Sequence, residues 1–219
     1  MGNLVIVAGG GGVLGRAVAA DLLGRGFKVA IVDRMTPDVP GAVIFGDVDL
    51  TDDKSVGRTY QQVVREHGPI VGLVNVVGGF IWEPVQGGLA QSWAAMYRIN
   101  LATVATSCRQ ILDYLDRGGA IVNVGAAAAA NPGTGMAPYA ASKAGVRALT
   151  ESLADELRES GVRVNAVLPT IIDTPTNRKD MPDADTSNWI APARAAAAIA
   201  LLLSDDAAAI TGACVPLSG

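Results

Sequence analysis

Short apolar runs alternate with amphipathic helical patterns along this chain, and that alternation constrains the fold more than any other feature. The runs have the length and aliphatic character of buried strands, and longer segments with helical periodicity separate most of them. The predicted strands cover residues 4–8, 28–32, 42–45, 70–75, 120–124, 163–168 and 213–216, and the predicted helices cover 12–25, 52–67, 92–116, 137–160 and 192–203. This order predicts an α/β fold in which a doubly wound parallel sheet of about seven strands carries helices on both faces. Since no linker or repeat divides the chain, we expect one domain over residues 1–219.

Composition and charge exclude several classes of function. Half the residues are hydrophobic but only 5% are aromatic, which predicts a large and mostly aliphatic core. The net charge of -4 and the pI near 4.9 offer no basic surface to nucleic acid or to an anionic membrane. The longest apolar run, 195–203, is too short to span a bilayer, and the N-terminus does not resemble a signal peptide. We therefore expect a cytoplasmic protein that binds neither nucleic acid nor membrane.

The two cysteines and the single histidine lack the spacing of a metal site. Cys108 and Cys214 offer no disulfide framework, and we expect two buried apolar thiols. His67 stands before Gly68 and is expected to be an ordinary residue at the end of a helix. The sequence therefore predicts no bound metal.

A glycine-rich turn joins the first predicted strand to the first helix. Glycine at Gly9, Gly12 and Gly15 permits a tight turn and a close approach of the backbone to a pyrophosphate, which then rests on the helix N-terminus. Val13 and Leu14 complete the turn and are included among the candidate cofactor-binding residues. The turn therefore predicts a dinucleotide site.

An acid and a base follow the second predicted strand. Asp33 can accept hydrogen bonds from the adenosine ribose hydroxyls, and its charge repels a 2′-phosphate. Arg34, next to it, can bind that phosphate through its guanidinium. NADH is therefore the favoured cofactor, and NADPH is the alternative.

Tyr139 and Lys143 lie one helical turn apart on the same side of a predicted helix. An ammonium beside a phenol stabilises the phenolate, so the pKa of Tyr139 is expected to fall from its reference of about 10 toward neutrality. Tyr139 is then a candidate proton donor or acceptor, and Lys143 is its activator.

These features resemble the short-chain dehydrogenase/reductase family, in which Tyr-x-x-x-Lys is the catalytic signature on a Rossmann-type fold. The resemblance covers nearly the whole chain and implies an NAD(P)-dependent oxidoreductase with a small-molecule substrate. It also implies that Tyr139 and Lys143 contact the cofactor, Lys143 through the nicotinamide ribose. The two long predicted helices, 92–116 and 137–160, would pair subunits into a homodimer or homotetramer.

Other segments are similar to the family's remaining functional positions. Asn100 matches an asparagine that interrupts a helix and holds a water joining the lysine to solvent, and both a catalytic and a structural role stay open for it. By the same resemblance, the further cofactor-binding residues are Asp47 and Val48 beside the adenine, Asn75, Val76 and Gly78 at the adenine ribose, and Pro169, Ile172 and Thr174 near the nicotinamide amide and phosphates.

One position departs from the family pattern. Thirteen residues before Tyr139, where the family has a serine that holds the substrate carbonyl, this chain has Ala126. Together with Val13, the approach at 131–138 and the segment 173–189, Ala126 resembles the quinonoid dihydropteridine reductase branch of the family. A quinonoid pterin is an electron-poor ring that can accept hydride without a hydroxyl polarising a ketone. Trp82 or Trp189 would stack on such a ring or serve only in packing.

Three functions stay open at this stage. The favoured one is an NAD(P)H-dependent reductase of a small flat substrate such as quinonoid dihydropterin, with Tyr139 as proton donor. The second is a carbonyl or alcohol dehydrogenase that works without the usual serine. The third is a non-catalytic dinucleotide-binding sensor, against which the intact Tyr139 and Lys143 pair argues.

Overall fold

Seven parallel strands form one sheet in this computed structural model, which describes residues 3–219 apart from the side chain of Asp116. The first two residues of the predicted 1–219 domain lie outside that range. The strands are β1 (Leu4–Ala8), β2 (Lys28–Val32), β3 (Val43–Phe45), β4 (Ile70–Asn75), β5 (Leu115–Val124), β6 (Arg163–Pro169) and β7 (Cys214–Leu217). Their spatial order is β3-β2-β1-β4-β5-β6-β7, with every neighbouring pair parallel. The predicted doubly wound sheet is therefore confirmed, and its order reverses between β1 and β4.

Helices cover both faces of the sheet because successive strand side chains point to opposite sides. The helices are α1 (Val13–Gly24), α2 (Asp53–His67), α3 (Ala90–Met96), α4 (Thr103–Ile111), α5 (Ala137–Glu156), α6 (Pro175–Asp180) and α7 (Pro192–Leu203). Ile6 and Ile121 belong to a core cluster with residues of α2, α4 and α5. Val7 and Val122 belong to a second cluster with residues of α1 and α7. The alternation of strand residues thus builds two aliphatic cores.

The prediction of one continuous helix over 92–116 is wrong, because the segment is divided and its helical part ends before residue 116. A π-helical segment, Tyr97–Ala102, separates α3 from α4, and a 3-10 turn, Leu112–Tyr114, follows α4. Strand β5 then begins at Leu115 instead of the predicted residue 120, because Leu115 pairs with Ile70 before a register shift. Gly118, with φ +92°, lies in this irregular part of the strand. Pairing with β4, a non-local interaction, extends the strand through residues whose local pattern does not indicate one.

Smaller differences concern helix ends and one cysteine. Helix α5 ends at Glu156 instead of residue 160, and α6 is a short helix within a segment that the sequence left without one. Cys108 is buried as expected, but Cys214 is only half-buried, which corrects the expectation of two buried thiols. His67 is the last residue of α2 before Gly68, as predicted. Within residues 3–219, none of the helices combines the length and the apolarity needed to cross a membrane.

Candidate active site

The glycine-rich turn between β1 and α1 leaves room for an anion at the start of the helix. A Cβ atom at Gly9 would stand 2.3 Å from a Val77 side-chain carbon, and one at Gly15 would stand 2.6 Å from the Gly10 Cα. A Cβ at Gly12, by contrast, would meet nothing within 4 Å. Gly12 caps α1 without a side chain, and the first helical turn carries no acid, so the positive end of the helix dipole is free to receive a negative group. This turn fits the pyrophosphate of a dinucleotide.

A cavity of about 610 Å³ continues from this turn along the carboxyl ends of β1, β2 and β4. It lies where the strand order reverses, which is where open α/β sheets bind their ligands. Several predicted cofactor-binding residues line it, namely Gly9, Gly12, Asp33, Arg34, Val48, Val76 and Gly78. The cavity also contains residues that sequence reasoning missed, including Met35, Asp49, Leu50, Thr51, Arg98 and Ile99.

The Asp33 carboxylate is held in a fixed position at this cavity. Its Oδ2 accepts a hydrogen bond of 2.8 Å from the Gly11 amide, and its Oδ1 accepts one of 2.9 Å from the Met35 amide. Each carboxylate oxygen keeps further lone-pair capacity for a ligand hydroxyl. Asp33 is therefore preorganised to accept hydrogen bonds from a ribose.

Four of the predicted cofactor-binding residues do not have side chains that line this cavity. Asp47 has φ +59° and an exposed side chain that does not line the cavity, whereas Asp49 does. The Asn75 amide points into the core, where it donates a 2.8 Å hydrogen bond to the Asn123 Oδ1. Leu14 packs within the core beside the sheet, so only its backbone can face a cofactor. Val13 opens α1 and stays exposed.

Lys143 is anchored deep in the molecule beside the end of β5. Its Nζ donates a 2.8 Å hydrogen bond to the Val124 carbonyl, and only 4% of the residue is exposed. A Cβ built at Gly78 would stand 3.2 Å from the same Nζ, so the ammonium lies at the edge of the cavity. Burial lowers the pKa of Lys143 from 10.5 to about 8. The lysine is still mostly charged at neutral pH.

The structure contradicts the expected lowering of the Tyr139 pKa. Burial instead raises the pKa of Tyr139 from 10.0 to about 12. Desolvation disfavours the phenolate, and the Lys143 ammonium is bonded to the Val124 carbonyl. Tyr139 therefore holds its proton at neutral pH, which suits a proton donor.

Asn100 fastens the loop after β4 to the helices. Its Oδ1 accepts a 2.8 Å hydrogen bond from the Gly79 amide, and its Nδ2 donates to the Gly79 carbonyl at 3.0 Å. The same Nδ2 lies 3.0 Å from the Ser142 Oγ, which donates to the Tyr139 carbonyl at 2.6 Å. These contacts give Asn100 a structural role; the proposed catalytic water stays a prediction.

Comparison with known proteins identifies the family. The model of the short chain dehydrogenase family matches residues 3–185. The chain belongs to the short-chain dehydrogenase/reductase family. Among curated relatives, 3beta-hydroxysteroid dehydrogenase 1 of Eggerthella lenta is 31% identical and aligns with 96% of this chain and 90% of its own length. The 15-hydroxyprostaglandin dehydrogenase [NAD(+)] of Mus musculus is also 31% identical, over 80% of this chain and 69% of its own.

Solved structures agree with this assignment. The ligand-free aldohexose dehydrogenase of Thermoplasma acidophilum superposes with a TM-score of 0.91 at 26% identity, covering 99% of this chain and 92% of that one. This short-chain dehydrogenase/reductase is therefore a member of a family of NAD(P)-dependent oxidoreductases.

Aromatic rings lie around Tyr139 in this short-chain dehydrogenase/reductase. The Phe80 ring meets the Tyr139 ring edge-on, with centroids 5.0 Å apart. Trp82 packs on Gly135, where a Cβ would lie 2.4 Å from its ring, and is 59% exposed. Ala126 is buried at the end of β5, so the chain has no hydroxyl at that position. Phe80 and Trp82 are thus exposed rings that contact Tyr139 and Gly135, respectively.

The segment after β6 contains the short helix α6 and follows the carboxyl end of that strand. Thr174 caps α6, its Oγ1 accepting a 3.1 Å hydrogen bond from the Asn177 amide, and the Asn177 Nδ2 donates to the Ile172 carbonyl at 2.8 Å. Pro169 is buried at the end of β6. Trp189 is 9% exposed, which makes it a packing residue and not a stacking platform. None of these residues lines the 610 Å³ cavity.

Proposed function

We propose that this enzyme is an NADH-dependent reductase of a small, flat, electron-poor substrate such as a quinonoid dihydropterin. The observation that carries the proposal is the buried Ala126 in place of a carbonyl-holding hydroxyl, in a chain that keeps Tyr139 on α5 one turn before the buried Lys143. A ketone benefits from two groups on its oxygen as hydride arrives, whereas a quinonoid ring needs chiefly a proton at a ring nitrogen.

The protonation state of Tyr139 supports the reductive direction. NADH held by the glycine-rich turn and Asp33 would supply the hydride, that is two electrons and one proton. Tyr139 supplies the second proton, so quinonoid dihydropterin, NADH and one proton yield tetrahydropterin and NAD⁺. With a pKa of about 12, Tyr139 carries this proton at neutral pH. The Lys143 ammonium stabilises the phenolate that remains, until solvent restores the proton.

The aromatic surroundings support a flat substrate. Phe80 and Trp82 are both more than half exposed and flank the helix that carries Tyr139. Exposed rings of this kind keep apolar surface in contact with water until a ligand covers them. Such rings also stack on planar molecules. A flat ring stacked on Phe80 would lie beside the Tyr139 ring, which is 5.0 Å from Phe80 between centroids.

The preference for NADH rests on Asp33. Its preorganised carboxylate suits ribose hydroxyls and repels a 2′-phosphate. The Mus musculus relative, whose name includes NAD(+), is consistent with this preference. Tighter binding of NADPH than of NADH in a titration of the protein would overturn it.

A carbonyl or alcohol dehydrogenase is the second candidate, favoured by the names of the relatives. The hydroxysteroid and hydroxyprostaglandin dehydrogenases both act, by name, on hydroxyl groups. This candidate uses the same Tyr139 proton with a ketone held by other groups. The matched family is one of dehydrogenases. The comparisons therefore favour both enzyme candidates, the pterin reductase and the carbonyl or alcohol dehydrogenase, over a non-catalytic sensor.

A paired assay separates the candidates. NADH oxidation is measured with quinonoid dihydropterin and with a panel of ketones, for the wild type, Tyr139→Phe and Ala126→Ser. We expect turnover of the pterin, its loss by at least about a hundredfold in Tyr139→Phe, and a gain only toward ketones in Ala126→Ser. Turnover of ketones alone by the wild type would refute the pterin proposal and support the second candidate.

Assembly is proposed from the family resemblance. We propose a cytoplasmic homodimer or homotetramer that pairs through α4 and α5. Light scattering on the purified protein measures the mass directly, and a monomer at micromolar concentration would contradict the proposal.

A further inference from the structure

A second acid lies at the adenosine end of the cavity and binds two arginines. The Asp49 Oδ2 lies 2.5 Å from the Arg34 Nη2 and 3.6 Å from the Arg98 Nη2. The Asp49 Oδ1 accepts hydrogen bonds from the Thr51 amide at 2.9 Å and from the Thr51 hydroxyl at 2.7 Å. The Arg98 Nη2 also donates to the Thr51 Oγ1 at 3.2 Å. Asp49 therefore stands at the centre of a fixed cluster that lines the cavity.

The charges of this cluster and of Asp33, which lines the same cavity, sum to zero. Arg34 and Arg98 contribute two positive charges, and Asp33 and Asp49 contribute two negative ones. Burial alone would raise the pKa of Asp49. The hydrogen bonds from Thr51 and the Arg34 guanidinium outweigh this effect and lower that pKa to about 2. Asp49 is thus ionised at any physiological pH, and its two partners stay engaged.

The exposed arginines would otherwise suit a phosphate. The Arg34 and Arg98 side chains are 64% and 66% exposed, and both border the cavity that contains Asp33. Guanidinium groups bind phosphate oxygens through paired, charge-assisted hydrogen bonds. While Asp49 holds the Arg34 Nη2 at 2.5 Å, a 2′-phosphate must compete with a carboxylate for that donor.

We infer that Asp49 is a specificity-determining residue that disfavours NADPH, because it holds Arg34 and Arg98 and so keeps them from binding a 2′-phosphate that Asp33 already repels. The inference rests on the proposed NADH-dependent function and extends it to a residue outside the glycine-rich turn and the Asp33 position. It explains how a chain with an arginine directly after Asp33 can still prefer NADH.

The test compares equilibrium binding of NADH and NADPH to the wild type and to Asp49→Asn by titration calorimetry. The amide preserves the shape and keeps acceptor capacity for Thr51, but it removes the charge that holds Arg34. We expect the affinity for NADPH to rise roughly tenfold and that for NADH to change by less than about twofold. Because added salt screens the freed arginines, the gain should shrink at high ionic strength.

A matched control is present on the surface. Asp53 forms the same kind of ion pair with Arg109, outside the cavity, so Asp53→Asn removes one negative charge without touching Arg34. This variant should leave the ratio of the two affinities unchanged, and Arg34→Ala in the Asp49→Asn background should cancel most of the gain in NADPH affinity.

The outcomes distinguish the inference from the proposed function. An unchanged affinity ratio in Asp49→Asn, or an equal shift in Asp53→Asn, overturns the inference and leaves the NADH-dependent function intact. Absence of binding of either dinucleotide to the wild type overturns the proposed function and the inference with it.

Discussion

Removal of the buried Lys143 charge should stabilise the protein. Lys143 is 4% exposed, and its pKa falls from 10.5 to about 8 through burial. That difference corresponds to about 3 kcal/mol of unfavourable free energy for the charged form in the folded state. Lys143→Met removes this cost but leaves the Val124 carbonyl without its donor, which costs about 1 kcal/mol. We therefore expect a net gain of about 2 kcal/mol in the free energy of unfolding at pH 7.

The sign of the pH dependence follows from proton binding. At pH 7 the lysine is mostly charged in both the folded and the unfolded protein, so the full cost is expressed. Above about pH 8 the folded Lys143 loses its proton, whereas the unfolded chain keeps it until about 10.5. Because the unfolded state then binds more protons, the stability of the wild type rises with pH in this window. Relative to Lys143→Met, the wild type should gain on the order of 2 to 3 kcal/mol between pH 7 and pH 10.

Urea unfolding followed by far-ultraviolet circular dichroism measures this effect. The difference between wild type and Lys143→Met at each pH cancels the contributions of all other titrating groups. Lys54→Met, on the exposed side of α2, controls for replacing a lysine by methionine. A difference between wild type and Lys143→Met that stays constant from pH 7 to pH 10 would refute the reasoning, because it would mean that burial does not penalise the ammonium.

Three further predictions concern the site and its support. Tyr139→Phe should lower turnover at least about a hundredfold while the dissociation constant of NADH, measured by titration, stays within about twofold; normal turnover would exclude the hydroxyl from proton transfer. Gly15→Ala places a Cβ 2.6 Å from the Gly10 Cα and should cost about 1–3 kcal/mol in urea unfolding and weaken NADH binding. Gly24→Ala, in the same helix with no atom within 4 Å of the new Cβ, should be neutral or stabilising, and an equal loss in both variants would contradict the steric explanation. Asn123→Ala should lower the free energy of unfolding by about 1–3 kcal/mol, because Asn123 is fully buried and the hydrogen bonds of its side-chain amide link β4, β5 and α5. A loss below about 0.5 kcal/mol in urea unfolding would show that these hydrogen bonds do not support the sheet.

The fold was predictable because its determinants are local. Strand and helix periodicities depend on neighbouring residues, and the order of elements alone selects a doubly wound parallel sheet. The predictions failed where a residue far away in the chain determines the local structure. Strand β5 starts at Leu115 because it pairs with Ile70, and Asn100, in the π-helical segment before α4, bonds across to Gly79. Neither partner can be found from the local pattern.

The site was predictable to a smaller extent. The glycine-rich turn, Asp33 and the Tyr139–Lys143 spacing are short-range patterns, so their positions follow from the sequence. The choice between Asp47 and Asp49 does not, because both follow the same strand and only the packed structure shows which one lines the cavity. The sequence signal that could have pointed to Asp49 was the presence of a second aspartate two residues after Asp47.

The sequence by itself determined the class of fold, the family and the pair, Tyr139 and Lys143, that we propose for proton transfer. Only the tertiary structure decided the electrostatic state of those residues. Burial raises the pKa of Tyr139 and lowers that of Lys143, and Asp49 binds an arginine that the sequence left as a ligand for phosphate. Burial and charge pairing depend on distances between residues far apart along the chain, and these distances exist only once the sheet and its helices have packed.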